Sequence, residues 1–234
     1  MVKQVVLLAG GKGTRMREMT ESLPKPMVEI GGIPVLQHLM NIFNSFGDFE
    51  YVVSSGYKSE IIEKYFKDYS NVKVVNTGEE TMTGGRIRRI SDYIKDESHF
   101  CVTYGDGVGN INISESINFH KAHKKIATLT STYPSGRFGA LDIKDSKVCQ
   151  FKEKPRGDGA KINGGFFVFS KNILNYIDGD NVILEQEPLQ TLAHEGQLMA
   201  FEHEGFWQPM DTMRDKNMLD QIWDSGDVPW KIWN

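Results

Sequence analysis

The sequence predicts an α/β fold: a doubly wound, mostly parallel sheet of the Rossmann type, joined to an α+β half. Three observations predict it. A continuous apolar run, Val5 to Ala9, stops at Gly10-Gly11, as a fully buried central strand does. From there to Thr132, short apolar runs alternate with helically spaced segments, the order of a parallel sheet with crossover helices. After Pro134 the alternation stops and strand-like pieces follow one another directly.

Each element has its own signal. Pro34 to Phe46 places Val35, Leu36, Leu39, Met40, Ile42, Phe43 and Phe46 on one helical face, with Pro34 in the first turn and Gly47 as the stop. Tyr51 to Ser54 reads as a strand, and Ser59 to Tyr69 as a helix burying Ile61, Ile62, Tyr65 and Phe66. Val72 to Val75 is the third strand, and Ile87, Ile90, Tyr93 and Ile94 mark the third helix. Phe100 to Tyr104, the helix Ile113 to Lys124 and the strand Ala127 to Thr132 complete the first half. In the second half, Gly139 to Ile143 and Lys147 to Phe151 flank Asp145-Ser146, a hairpin turn, and Ile162 to Phe169 is a further strand. Helices are expected at Glu187 to Glu195 and Thr212 to Asp224, with Leu198 to His203 and Phe206-Trp207 between them. No repeat or linker separates the halves, so residues 1–234 are expected to form one domain, with 1–133 and 134–234 sharing a cleft.

Composition narrows the function. The 234 residues are 39% hydrophobic and 25% charged, enough apolar surface for a core and against intrinsic disorder. Twenty-seven Lys and Arg against 31 Asp and Glu leave a net charge of −4, unlike a general nucleic-acid binder. Cys101 and Cys149 stand far apart, which excludes a disulfide framework and a cysteine zinc site and fits a reducing compartment. The run Val5 to Ala9 is too short for a signal peptide and no run reaches a membrane span, so a cytoplasmic protein without membrane or nucleic-acid partners is expected.

Ligands of doubly wound sheets bind beyond the carboxyl ends of the strands. Four stretches fall there: Ala9 to Arg15, Asn76 to Arg86, Gly105 to Gly109, and Trp207 to Thr212. In Leu8-Ala9-Gly10-Gly11-Lys12-Gly13-Thr14-Arg15, three glycines let backbone N–H groups approach phosphate oxygens, and Lys12 and Arg15 add positive charge. Met16 breaks the dinucleotide fingerprint, and no Gly-Lys-Ser/Thr completes a Walker A loop. The same glycines also suit a plain turn closing a βα unit. Lys25 lies between Pro24 and Pro26 on a stiff extended segment that can bring a second cation to the same phosphates. Read alone, Asp106 in Gly105-Asp106-Gly107 is more readily a turn residue than a ligand, and Asp211 more readily a helix cap, a role Thr212 could also take.

The glycine loop together with Pro24-Lys25-Pro26-Met27-Val28-Glu29-Ile30-Gly31-Gly32 resembles the sugar-phosphate nucleotidyltransferases. The stretches Thr81 to Arg86, Thr103 to Val108, Gly136 to Ile143, Phe151 to Pro155, Ile162 to Val168 and Gly205 to Thr212 resemble the branch that joins CTP to glucose 1-phosphate. The resemblance spans nearly the whole chain and implies transfer of a nucleotidyl group from CTP to a sugar 1-phosphate, releasing pyrophosphate. It implies Mg2+ held by Asp106 and Asp211, with Arg15 and Lys25 neutralising the triphosphate. The nucleotide would meet Leu8, Ala9, Gly10, Gly11, Lys12, Gly13, Thr14, Thr81, Arg86 and Gly105. The sugar phosphate would meet Glu153, Lys154, Asn163, Gly164 and Glu187. It also implies a homo-oligomer. One departure is the link from Tyr69 to the next strand: only Ser70-Asn71 stand where the family has a longer segment.

Uridylyl or thymidylyl transfer, another sugar phosphate, and a silent sugar-nucleotide-binding subunit are the alternatives. A silent relative has no need of Arg15, Lys25, Asp106 and Asp211 together. His120 and His123, spaced i, i+3, read as a solvated helix face rather than a zinc site, and Trp223, Trp230 and Trp233 as residues packing the tail onto the body or a neighbouring subunit.

Overall fold

The computed structural model describes residues 4–95, 99–134, 136, 140–152 and 160–233. The elements in order are β1 (Gln4–Ala9), α1 (Arg17–Thr20), β2 (Glu29–Ile30), β3 (Ile33–Pro34), α2 (Val35–Asn44), β4 (Glu50–Ser55), α3 (Ser59–Phe66), β5 (Val72–Asn76), α4 (Thr83–Arg89) and β6 (His99–Tyr104). Then come β7 (Gly107–Gly109), α5 (Ile113–His123), β8 (Ala127–Thr132), β9 (Ala140–Lys144), β10 (Lys147–Lys152), β11 (Ile162–Ser170), α6 (Glu187–His194), β12 (Leu198–Glu202), β13 (Trp207–Pro209) and α7 (Met213–Ser225). The sequence-based elements agree to within a few residues, except that the third helix starts earlier, at Thr83, and gives way to a 3-10 turn at Ser91–Tyr93.

Among the described residues, a seven-stranded sheet runs β12-β8-β11-β6-β1-β4-β5. Strand β1 pairs in parallel with β4 and β6. Its residues alternate between two cores: Val5, Leu7 and Ala9 join the one carrying α2 and α7, and Val6 and Leu8 the one carrying Ile87 of α4 and Leu189 of α6. Burial on both faces is why the run is apolar without alternation. After β1 the chain builds β4 and β5 on one side, then crosses to β6 on the other. The crevice of this doubly wound fold therefore opens at the ends of β1 and β6.

Strand β11 was not legible as part of this sheet. It lies antiparallel between β6 and β8, so the second half of the chain completes the sheet of the first. Asp145 and Ser146 both take positive φ (49° and 64°), the two-residue turn that matches the twist of the β9–β10 hairpin. Leu141, Ile143, Val148 and Phe151 of that hairpin are exposed.

One expectation is corrected. His120 is fully buried rather than on a solvated face, bonded through Nδ1 to Thr128 Oγ1 at 2.8 Å, and His123 Nε2 meets the same hydroxyl at 2.7 Å. No group of three or more His, Cys, Asp or Glu side chains placed to hold a metal occurs among the described residues. The tail packs on the body: Trp230 is fully buried, stacks on Phe206 and donates from Nε1 to His38 Nδ1 at 3.3 Å. An indole N–H only donates, so His38 carries its proton on Nε2, which donates to Ile30 O at 2.9 Å. No helix among the described residues is long and apolar enough to cross a membrane.

Candidate active site

Two adjoining cavities open over the ends of β1 and β6. The first, of about 470 Å3, lies between the stretch from Leu8 to Arg15 and the loop Glu79 to Thr83. The second, of about 880 Å3, lies over Asn163, Gly164 and Gly165 and under Trp207. Arg15, Tyr104, Asp106 and Asp211 line both. Both volumes are in the range of small-molecule sites.

Asp106 and Asp211, about a hundred residues apart, are brought together by a short ribbon. Strand β7 pairs antiparallel with β13, setting Gly107 opposite Pro209, and Met210 N donates to Asp106 O at 2.7 Å. Lys25 Nζ donates to Asp106 Oδ2 at 2.6 Å and to Asp211 Oδ1 at 2.8 Å, and Arg15 Nη1 to Asp211 Oδ2 at 2.9 Å. Two carboxylates thus face two cations at the junction of the cavities. Burial pushes the Asp211 carboxyl up, but the hydrogen bond and charge of Lys25, joined by Arg15, outweigh it and hold its pKa below the ordinary value. Lys25 is only 8% exposed, fixed in a single turn between its two prolines.

The capping alternatives for Asp211 and Thr212 are resolved. Thr212 caps α7 in a capping box: Asp215 N donates to Thr212 Oγ1, and Asp215 Oδ2 accepts from Thr212 N at 2.9 Å. Asp215 Oδ2 also accepts from Asp211 N at 3.1 Å, which leaves the Asp211 carboxylate facing Lys25 and Arg15.

Arg86 is buried on α4. Its Nη1 donates to Thr77 Oγ1 at 2.7 Å and to the carbonyls of Gly78 at 2.9 Å and Ser55 at 3.0 Å. Its Nη2 donates to Gly10 O at 2.9 Å and to Glu79 O at 3.2 Å, so one guanidinium ties the glycine loop to the loop after β5. A Cβ at Gly10 would fall on that guanidinium, so glycine is needed there for close approach. Neighbouring Arg88 and Arg89 are likewise engaged, with Ile177 O and Asp180.

The remaining sequence-predicted residues divide. Gly105 N donates to Leu8 O at 3.0 Å, joining β6 to β1 beneath the smaller cavity. The buried Thr81 hydroxyl donates to Thr77 O, and Lys12 pairs with Glu80 across the mouth. Asn163 Oδ1 accepts from Gly165 N at 2.9 Å, and Trp207 Nε1 donates to Gly164 O at 2.8 Å. Glu187 is exposed on α6 and lines neither cavity. Glu153 and Lys154 lie outside the described residues. Sequence reasoning missed Tyr104 as a cavity wall, and Glu185, which accepts from the Tyr104 phenol. An aromatic at a strand end and a carboxylate in a loop carry no local signal of a site.

The sequence model described as "Nucleotidyl transferase" matches residues 4–212. The chain belongs to the nucleotidyl transferase family. Among curated members of this family, glucose-1-phosphate cytidylyltransferase of Salmonella typhimurium (strain LT2) is 49% identical over 98% of this chain and 99% of its own. A probable glucose-1-phosphate cytidylyltransferase of Bacillus subtilis (strain 168) is 38% identical over 98% of this chain and all of its own. Both alignments run over 255 positions against 234 in this chain, so these nucleotidyltransferases carry residues it lacks. The crystal structure of HddC from Yersinia pseudotuberculosis superposes with a TM-score of 0.75 at 29% identity, over 95% of this chain and all of the other. A UDP-glucose pyrophosphorylase structure reaches the same TM-score at 15% identity and shows the shared nucleotidyltransferase fold.

Proposed function

We propose that the chain transfers the cytidylyl group of CTP to glucose 1-phosphate, giving CDP-glucose and pyrophosphate. The names of its two full-length relatives support the choice of donor and acceptor. The observation that carries the chemistry is the meeting of Asp106 and Asp211 on one ammonium, beside Arg15, where the cavities join. In this reading residues 1–133 carry most of the nucleotide site and residues 134–234 most of the sugar-phosphate site, within one domain.

A phosphate oxygen of the sugar attacks the α-phosphorus of CTP in line. That oxygen is already ionised near neutral pH, so positioning and charge neutralisation are what the protein must supply. Lys25 and Arg15 face the triphosphate and offset its charge as pyrophosphate leaves. The glycine loop, shaped by Arg86, presents backbone N–H groups to the phosphates, and Thr81 and Gly105 complete the nucleotide wall. Asn163 and Gly164 receive the sugar, with Glu153 and Lys154 reaching it in the manner the family resemblance implies.

Magnesium fits the site. The two carboxylates converge within hydrogen-bond distance of a single nitrogen, so one small cation can meet both, and hard oxygen donors suit it. When bound, the ion neutralises phosphate charge. A cytoplasmic homo-oligomer is part of the same proposal, and light scattering checks the assembly.

Pyrophosphate release tests the reading, with CTP, UTP, ATP, GTP and dTTP against a panel of sugar 1-phosphates. CTP with glucose 1-phosphate is expected to turn over fastest, and excess chelator to stop it. A preference for UTP or dTTP overturns the base assignment, and full turnover in chelator overturns the metal.

A further inference from the structure

The two cavities meet at one ring. Tyr104 lines both, and its ring is held on several sides. Phe167 meets it edge-on, with centroids 5.6 Å apart and planes at 77°. Gly165, at φ +77°, stands where a Cβ would strike the ring, so the tyrosine occupies room that only glycine leaves. The phenol donates to Glu185 and accepts from Asn163 Nδ2 at 3.3 Å. Burial, then the Glu185 charge, push the Tyr104 pKa far above its ordinary value, so the oxygen keeps the proton it donates.

Glu185 has a second partner. Thr83 Oγ1 donates to Glu185 Oε2 at 2.7 Å and accepts from Leu184 N at 2.9 Å. Thr83 is the first residue of α4, the helix that carries Arg86. Backbone bonds strap the same stretch to the segment before Glu185: Met82 N to Asp180 O and Gly84 N to Val182 O, both 2.9 Å. A hydrogen-bonded path therefore runs from the loop beside the smaller cavity, through Thr83, Glu185 and Tyr104, to Asn163 in the larger one.

We propose that Glu185 is a positioning residue that couples the two cavities by fixing Tyr104 to the start of α4. The inference rests on the assignment of the smaller cavity to the nucleotide and the larger to the sugar phosphate. Glu185 lines neither, so it acts through Tyr104 rather than by touching substrate. A carboxylate suits the task because it accepts from two hydroxyls at once. A nucleotide that sets the loop before α4 also sets the ring and amide against which the sugar phosphate binds. Its loss leaves the phenol without its acceptor and the two sites independent.

Calorimetry on the whole chain with Mg2+ tests this, using α,β-methylene CTP, which cannot be cleaved at the reacting bond, and glucose 1-phosphate. In the wild type, the Kd for glucose 1-phosphate is expected to fall about tenfold when the analogue is bound, within the usual range of coupling. Glu185→Ala and Tyr104→Phe should each remove that coupling, and the double variant should be no worse than either single one. Glu185→Gln, which still accepts from the phenol, should restore part of it. Tyr104→Phe keeps the ring packing and carries the test if Glu185→Ala does not fold. Wild-type coupling retained in Glu185→Ala, or no coupling in the wild type, overturns the proposal. If the wild type binds neither ligand, the assignment of the cavities fails and the coupling falls with it.

Discussion

Asp211 and Thr212 are adjacent, and either could cap α7 on chemistry alone. The capping box gives that work to Thr212 and Asp215 and leaves the Asp211 carboxylate to Lys25 and Arg15. The two residues are therefore separable. Asp211→Asn should nearly abolish turnover at saturating magnesium with little change in Tm. Thr212→Ala should lower stability by about 1 kcal/mol, the worth of a cap, with turnover largely kept. Paired kinetics and thermal melts check both, and near-normal turnover in Asp211→Asn removes it from the site. At this scale the sequence was informative about charge and poor about partners. Lys25 between prolines and the two aspartates stood out, whereas the burial of Arg86 did not. Nothing in a string of residues says that five oxygen atoms from three segments will converge on one guanidinium.

At the scale of elements, α5 packs on β8 through side chains that looked like surface. Ser116 and His120 are buried beside Ile113 and Ile117, while His123 is half-buried. With so few apolar residues, the helix gives no clear stripe, and its covered face is set by the sheet. Burial first, then the neighbouring His99 and His123, push His120 down to about 3. An unfolded histidine takes its proton near 6.5. The stability that neutral His120 contributes is thus fully present above about pH 6.5 and is lost progressively as the pH falls toward 3, by up to about 1.4 kcal/mol per pH unit. Denaturant melts between pH 7 and 4 should show this decline, and His120→Gln should flatten it. An equal slope in the variant would place the acid sensitivity elsewhere.

At the scale of the whole molecule, the doubly wound half was legible because each of its strands and helices has a local signature and parallel neighbours follow from crossover rules. The place of β11 was not. Its pairing with β6 joins segments more than sixty residues apart, and an apolar run such as Phe166 to Phe169 names no partner. The same limit hid the larger cavity, whose floor is the start of β11 and whose wall, Trp207, comes from β13. The motifs on those strands were readable, but the ribbon that sets Asp106 beside Asp211 needed the fold.

That late strand has a consequence for how the chain is made. β6 ends at Tyr104 and β11 at Ser170, an interval that a ribosome covers in roughly 3–13 s at about 5–20 residues per second. Throughout that time the edge of β6 lacks its partner, and an open apolar edge recruits other strands. A fragment ending at Tyr133 holds β1, the glycine loop and Asp106, yet it should aggregate on expression, whereas one extended through α7 and Trp230 should stay dispersed. Sedimentation of the two fragments from the same host checks this. The birth of the protein is therefore hazardous in its middle third, and a host that slows translation there prolongs the exposure.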